Sequence, residues 1–350
     1  MIIHIINIRK KLVGVLLGCI ILVIILILKL TYFNESQIST GAFIHVEKES
    51  GYENDLAGFS NDKSYELDER FQRPSKLSAV KLKYNFIRPK DKDEVPPYIA
   101  EGFPTIYQSP ENVIHGYYAI LKNAANMIGY GGGCGTILWN DIPYPYAYRL
   151  LSDDMKANIT LEEFKDSFKG TGAMNLLHLE PAYQPPNTPD NIKYYFVEVE
   201  VLKGHKYKKE GKGFKRQPNY FEYYYGIVTT EYDKKEGWKI KSVDYLPEIY
   251  LCHPLHGWDY YYDWIIGVIY NNWYGMNLKI DNTEIVNNYI KVYASNQDNE
   301  YKFDFIRLTN GDDVLVHEYI KENDKWKEVS ILKPDHEKYY KISILKFNNK

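Results

Sequence analysis

The stretch Leu12–Leu28, LVGVLLGCIILVIILIL, constrains this chain more than any other feature, because it runs seventeen residues without a charge and ends at Lys29. At about 1.5 Å per residue it makes roughly 25 Å of helix, enough to cross a hydrocarbon core if the Lys29 ammonium reaches back to the headgroups. A soluble amphipathic helix needs a polar face, and this run has none. Arg9, Lys10 and Lys11 precede it, and after Lys29 no basic residue follows until Lys48. The positive-inside bias therefore predicts a cytoplasmic tail over residues 1–11, a transmembrane helix over 12–30, and everything beyond on the extracytoplasmic side of the cell membrane.

Two other fates for the same run are weighed against a retained anchor. A cleaved signal peptide needs a small-x-small site soon after its apolar core, but Thr31-Tyr32-Phe33-Asn34-Glu35 follows instead. Leu16-Leu17-Gly18-Cys19 resembles the lipobox of bacterial lipoproteins, yet Cys19 continues into nine more apolar residues rather than a polar tether. Cys19 reads as a small hydrophobe within the span.

All 46 acidic residues lie beyond the span, and with Arg9, Lys10, Lys11 and Lys29 set aside from the 43 basic ones the outer part carries about −7. That balance argues against nucleic acid as a partner. The 34 tyrosines are accompanied by abundant Ile, Lys and Asn, the bias an AT-rich genome gives, so they do not by themselves define a sugar-binding surface.

The outer part divides by pattern into a stalk over 31–108, a domain over 109–248 and a smaller unit over 249–350. In the stalk, polar residues and Pro96-Pro97 dominate, but Val80, Leu82, Tyr84 and Phe86 alternate as in a strand that adds to the next domain's sheet. Ser109-Pro110-Glu111 starts a helix whose Val113, Tyr117, Ile120, Leu121 and Ala124 recur at helical spacing. A second helix runs from about Pro145, and a third from Thr160, where Thr160 and Glu163 form a capping box. Strand patterns follow at Met174–Leu179, Lys193–Leu202, Phe221–Tyr232 and Trp238–Tyr245. In the last unit an amphipathic helix at Trp264–Trp273 precedes strands at Tyr289–Ala294, Tyr301–Leu308, Val314–Ile320 and Trp326–Leu332, with Asn310-Gly311 as a hairpin turn. The expected class is α+β: a transmembrane helix, a cone of three helices and a curved antiparallel sheet, then a smaller α+β domain.

Three segments, Ser109-Pro110-Glu111-Asn112-Val113-Ile114, Ala147-Tyr148-Arg149-Leu150-Leu151-Ser152 and Ile159-Thr160-Leu161-Glu162-Glu163-Phe164, resemble the helical half of the nuclear-transport-factor-2-like, or ketosteroid-isomerase-like, superfamily. The likeness is to its extracytoplasmic members in Gram-positive bacteria, which sit behind a membrane anchor, precede transpeptidase domains or form parts of secretion machinery. It covers about residues 109–248 and implies the cone fold. No catalytic residue carries over, because no enzyme motif of the superfamily matches position by position.

The chain departs from that pattern by a glycine-rich insertion, Met127 to Pro143, between the first two helices. Its Tyr130, Gly132, Cys134 and Trp139 are the candidate ligand-loop residues, since glycines at this density open backbone conformations closed to other residues. It lacks the Gly-Lys-Ser/Thr ending of a nucleotide loop. Cys134 and Cys252 are the cysteines outside the span and have the option of a disulfide. Cys252-His253-Pro254-Leu255-His256 matches no zinc spacing, so no metal and no cofactor are expected. Asp154, Asp166 and Glu198 are available acids that helix-surface and strand-exterior positions explain equally well.

Two functions follow as expectations. The first is a membrane-anchored, non-enzymatic binding or scaffold protein acting on an envelope protein partner or cell-wall component. The alternative is an extracytoplasmic hydrolase or transferase with Cys134 as nucleophile and His115, His178 or His253 as base.

Overall fold

The computed structural model describes residues 74–89, 98–131, 138–206, 219–248 and 261–332. The apolar run Leu12–Leu28 lies outside them, as do Gly132, Cys134, Cys252, His253 and His256. Among the described residues no helix is long and apolar enough to cross a membrane.

Four short helices come first: α1 (Pro110–Leu121), α2 (Tyr144–Arg149), α3 (Asp153–Asn158) and α4 (Leu161–Asp166). The Ser109 side chain accepts the Asn112 N–H at 3.2 Å, Pro110 opens α1, and Glu111 sits in its first turn. Thr160 and Glu163 satisfy each other's backbone donors in the expected capping box. The third of the four, α3, has Ser152 as its cap and only Met155 buried, so it offers no periodicity to read and went unexpected.

The chain then enters a four-stranded antiparallel meander in the order β1-β2-β3-β4: β1 (Thr171–Pro181), β2 (Ile192–Lys203), β3 (Tyr220–Asp233) and β4 (Gly237–Pro247). Register shifts at Thr171/Ala173 and Leu176/His178 leave extra residues in β1, and one at Thr229/Thr230 leaves Lys241 of β4 extra, so that the ladder bends. One face carries Met174, Leu176, Val197, Val199, Val201, Val228 and Val243 into a core shared with the helices. Phe164 and Phe168 close that core against Tyr144, with ring centroids 6.2 and 5.1 Å away.

The expected strand through Val80, Leu82, Tyr84 and Phe86 is not formed. The segment is extended and its even residues do face inward, with Phe86 buried, but the main-chain bond it gives to the sheet is the single one from Val80 N to Leu176 O at 2.8 Å. Side chains hold it instead: Glu200 accepts from Ser75 N at 2.5 Å, and Lys83 reaches Glu111 and Asn112 at 2.9 Å.

After residue 261 comes α5 (Tyr262–Ile265), continuing directly as a π-helix over Ile266–Trp273 where a plain α-helix was expected. A second antiparallel meander follows, with five strands rather than four: β5 (Lys279–Val286), β6 (Tyr289–Ser295), β7 (Glu300–Arg307), β8 (Asp313–Glu322) and β9 (Lys325–Val329). The unexpected strand, β5, is exposed along most of its length and so lacks the apolar alternation that marks a strand. The β7–β8 turn falls at Asn310-Gly311 as expected, with Gly311 in the left-handed region. Two fully buried carboxylates fasten this unit. Asp313 takes a two-pronged bond from Arg307 at 2.8 and 2.9 Å and caps the start of α5 through Tyr262 N at 3.0 Å. Glu318 accepts from Tyr270 OH at 2.6 Å, Ile331 N at 2.8 Å and Leu332 N at 3.0 Å.

The outer face of the first sheet is covered as well. Phe196, Tyr225 and Ile227 join Ile265, Ile269 and Tyr270 of the helix, Phe303 and Phe305 of the second sheet and Leu308 just after β7 in one apolar cluster. Helices thus lie on one face of β1–β4 and the C-terminal unit on the other, which makes the molecule α+β with two antiparallel sheets.

Gly116 marks the tightest helix contact, since a Cβ there would stand 2.2 Å from the Tyr107 hydroxyl and 2.8 Å from its ring. That hydroxyl is buried without a hydrogen-bond partner among the described residues. Gly116→Ala should therefore lower stability by about 2 kcal/mol, overpacking outweighing the better helix propensity of about 1 kcal/mol. Tyr107→Phe alone should be close to neutral and, since its ring atoms stay within 3.0 Å of the added Cβ, should recover part of that loss in the double variant, as read by denaturant midpoints of the full chain. A strictly additive double variant would show that the two side chains do not meet.

Candidate functional site

On strand β2, Lys203 falls on the same face as Val197, Val199 and Val201, and on β3 Tyr220, Glu222 and Tyr224 share the face of Val228. A lysine and a glutamate therefore stand at the edge of the helix-facing core, where β1 begins, β2 ends and β3 begins. Lys203 is buried, with Nζ 3.4 Å from both the Lys169 carbonyl and Thr171 Oγ1. Burial lowers its affinity for a proton, and the Glu222 charge works in the other direction. Tyr224 donates to Glu222, and burial together with that carboxylate pushes the Tyr224 and Tyr220 hydroxyls well up.

The glycine-rich insertion is tied to this same edge. Asn126 N bonds Thr171 O at 2.8 Å, Gly170 N bonds Asn126 O at 2.7 Å, and Gly131 N bonds His205 O at 2.7 Å. Gly170 has φ +76°, and a Cβ there would meet the Tyr130 ring at 2.8 Å, so only glycine allows the ring to lie down on the backbone. The His205 and Tyr220 rings pack 4.7 Å apart beside it. Deeper in the core the Tyr118 and Tyr245 hydroxyls bond each other, and burial holds both protonated far above the ordinary phenol range. These tyrosines are hydrogen-bond donors and acceptors at any physiological pH, not bases.

Of the ligand-loop candidates, Tyr130 takes part in this edge. Trp139 does not: it is half-buried and packs against the core on Phe86, with centroids 5.5 Å apart. Gly132 and Cys134, and with them the Cys134–Cys252 pairing, lie outside the described residues. Lys203, Glu222, Tyr220 and Tyr224 were not singled out from the sequence, although a charged residue in phase with three core valines was a readable signal.

The weighed histidines and acids that lie among the described residues are occupied elsewhere, and His253 lies outside them. Asp154 and Asp166 form surface pairs with Lys241 at 3.3 Å and Lys169 at 2.7 Å. His115 lies buried on α1 and contacts Glu111 at 3.3 Å. Glu198 is on the outer side of the sheet, as a strand-exterior position implies, but the C-terminal unit buries it completely. Its carboxylate meets His178 Nδ1 at 2.5 Å and accepts from Thr309 N at 3.0 Å. Among the described residues no group of three or more His, Cys, Asp or Glu has the geometry to hold a metal ion.

No family model matches the sequence, and comparison with curated proteins returns no match. A solved structure described as an "Ntf2 like protein involved in plasmid conjugation" is similar at 10% identity and a TM-score of 0.19, covering 62% of this chain and 95% of that one. A superposition that loose carries no argument.

Burial pushes the His178 imidazole down to about 4, against the opposing pull of Glu180 and Glu248. Between the ordinary histidine value of about 6.5 and that lower one, the unfolded chain binds more protons than the folded one, so stability must fall as pH drops through this window. Denaturant midpoints of the full chain should therefore rise from pH 4.5 to 6.5, and His178→Asn should make that rise shallower. An equal slope in the variant would mean that His178 is not held neutral.

Proposed function

We propose that this is a membrane-anchored extracytoplasmic binding or scaffold protein, acting on an envelope protein partner or a cell-wall component, with its N-terminal unit a cone of the nuclear-transport-factor-2-like superfamily of the Gram-positive type. The anchor is the apolar run Leu12–Leu28 with its basic flank. The cone reading is supported by the order of elements, short capped helices followed by an antiparallel meander bent by register shifts.

One observation supports the non-enzymatic reading: those of the weighed histidines and acids that lie among the described residues are spent on architecture, while Cys134 and His253 lie outside them. Glu198 and His178 join the two sheets, Asp154 and Asp166 lie in surface ion pairs, and the core tyrosines are held protonated by burial. General acid–base work needs a group poised near the operating pH with access to a reacting atom. What is left at the core edge, Lys203, Glu222 and the tyrosines beneath Tyr130, has the makings of recognition: hydrogen-bond donors and a paired charge.

Protease added to intact cells stripped of wall should degrade everything after about Thr31 and spare an amino-terminal tag. A carboxyl end protected until the membrane is lysed would overturn the topology. Cross-linking on such cells should then trap an envelope protein or wall polymer on the full chain, and Lys203→Ala should weaken that capture while the fold, followed by circular dichroism, persists.

A further inference from the structure

The solvent face of the second sheet carries aromatic rings that belong to neither apolar cluster. Residues out of phase with Val292, Phe303 and Phe305 form a row across β6 to β9, with Tyr293 opposite Lys302, Lys302 opposite Tyr319 and Tyr319 opposite Glu328. Trp326, two residues before Glu328 on β9, stands opposite Lys321. The solvated face of an antiparallel sheet is ordinarily polar, yet Tyr293, Tyr319 and Trp326 gather here half-buried. Tyr293 and Trp326 start three strands apart, roughly 14 Å at ordinary strand spacing, and still bring their ring centroids to 5.9 Å. They lean toward one another across β7 and β8, where the Lys302 side chain keeps 14% of its surface and its Nζ lies 3.8 Å from the centre of the Tyr319 ring.

Beside these rings the end of the sheet opens into a cavity of about 490 Å³ between the β6–β7 and β8–β9 turns, a volume within the range of ligand clefts. Its walls are polar: Gln297, Asn299 and Asn323 bring exposed amides to it. Lys321 links it to the rings, with Nζ 2.8 Å from Glu300 Oε2 and 5.9 Å from the centre of the Trp326 ring. The charges on this face say what it does not take. Lys302 is paired with Asp304 and Lys321 with Glu300, while Asp298 and Asp324 at the cavity add carboxylates that repel an anionic polymer. Among the described residues no group of acids has the geometry for a metal ion. A pyranose ring suits what is left, since one side of it is lined with C–H bonds that the negative face of an aromatic ring attracts, and its rim is lined with hydroxyls that amides and carboxylates bind. We propose that this face is an oligosaccharide site: Trp326 and Tyr293 stack on one sugar unit, and the hydroxyls of the next reach the Gln297 and Asn299 amides and Glu300 in the cavity. The site stands apart from the Lys203 edge and does not rest on the membrane-anchored reading.

Cross-strand aromatic pairs also stabilise a sheet without any ligand, so the test must read binding and not stability alone. The full chain, with its tryptophans nitrogen-labelled, is titrated with neutral tetrasaccharides of β-linked N-acetylglucosamine, β-linked glucose and α-linked glucose. At least one should bind and shift the Trp326 indole N–H resonance, assigned by its loss in Trp326→Phe, while the other indole resonances stay in place. Trp326→Ala should weaken that sugar about tenfold, and Trp326→Phe, which keeps an aromatic face, should retain most of the affinity. Should Trp326→Ala fail to fold, Gln297→Ala lies in an exposed turn away from both cores and should weaken the same sugar severalfold with an unchanged melting temperature. Lys203→Ala should leave sugar binding as it is, so failure here and failure at the core edge are told apart. If none of the three sugars moves the Trp326 resonance, or if one binds equally well to wild type, Trp326→Ala and Gln297→Ala, the proposal is overturned. A chain that ignores the sugars and instead binds a lysine-rich peptide through Asp298 and Asp324 overturns it as well.

Discussion

The structure depends on burying β1–β4 from both sides. Strand β2 shows how: Val197, Val199 and Val201 enter the helical core, and Phe196 on the other side enters the cluster built with the C-terminal unit. An antiparallel sheet usually keeps one solvated face, and polar side chains there need no partners. Here Glu198 and Glu200 sit on the face that the alternation assigns to solvent, yet both are buried, so each must be answered by a donor. Thr309 N and His178 answer Glu198; Ser75 N, Asn175 and Tyr223 answer Glu200. The donors come from both ends of the chain, from residue 75 and from residue 309. These two carboxylates thereby fix where the N-terminal segment and the β7–β8 turn must come to rest.

Much of this was legible in the sequence wherever local chemistry decides the outcome. The Ser109 cap, the Thr160–Glu163 capping box, the alternation along β2 and the Asn310-Gly311 turn all follow from rules that act within a few residues. Elements that owe their existence to tertiary context were not legible. Strand β5 is recruited by pairing with β6 rather than by its own pattern, and α3 buries one residue only. Val80 to Phe86 has a strand's alternation but finds one backbone partner, because side-chain burial can place an extended segment without a ladder.

The candidate site was half legible. Glycine density pointed to the insertion and to Tyr130, whose ring does settle on Gly170. The same density said nothing of Trp139, which lies half-buried against Phe86 at the margin of the aromatic core. Lys203 and Glu222 become visible only when β2 and β3 are placed in register, Val201 opposite Glu222 and Lys203 opposite Tyr220. Pairing of strands across a loop is a non-local fact, and a single sequence does not fix it.

Sheet edges are where folded chains of this kind stick to one another, and the two sheets treat theirs differently. The β4 edge is occupied by the chain's own backbone: Trp238 N bonds Tyr107 O, Ile240 N bonds Leu150 O, and Ile240 O receives Ser152 N, each within 2.9 Å. The second sheet ends in β5 and β9, which no such segment covers among the described residues. There the deterrent is built into the strands: a register shift at Ile280/Asn282 that skips Asp281, with Lys279 and Glu284 along β5, and Lys325, Lys327 and Glu328 along β9. A neighbouring copy that tried to continue this sheet would meet a kinked ladder and would have to strip water from charged side chains, so crowding favours separate molecules over stacked ones.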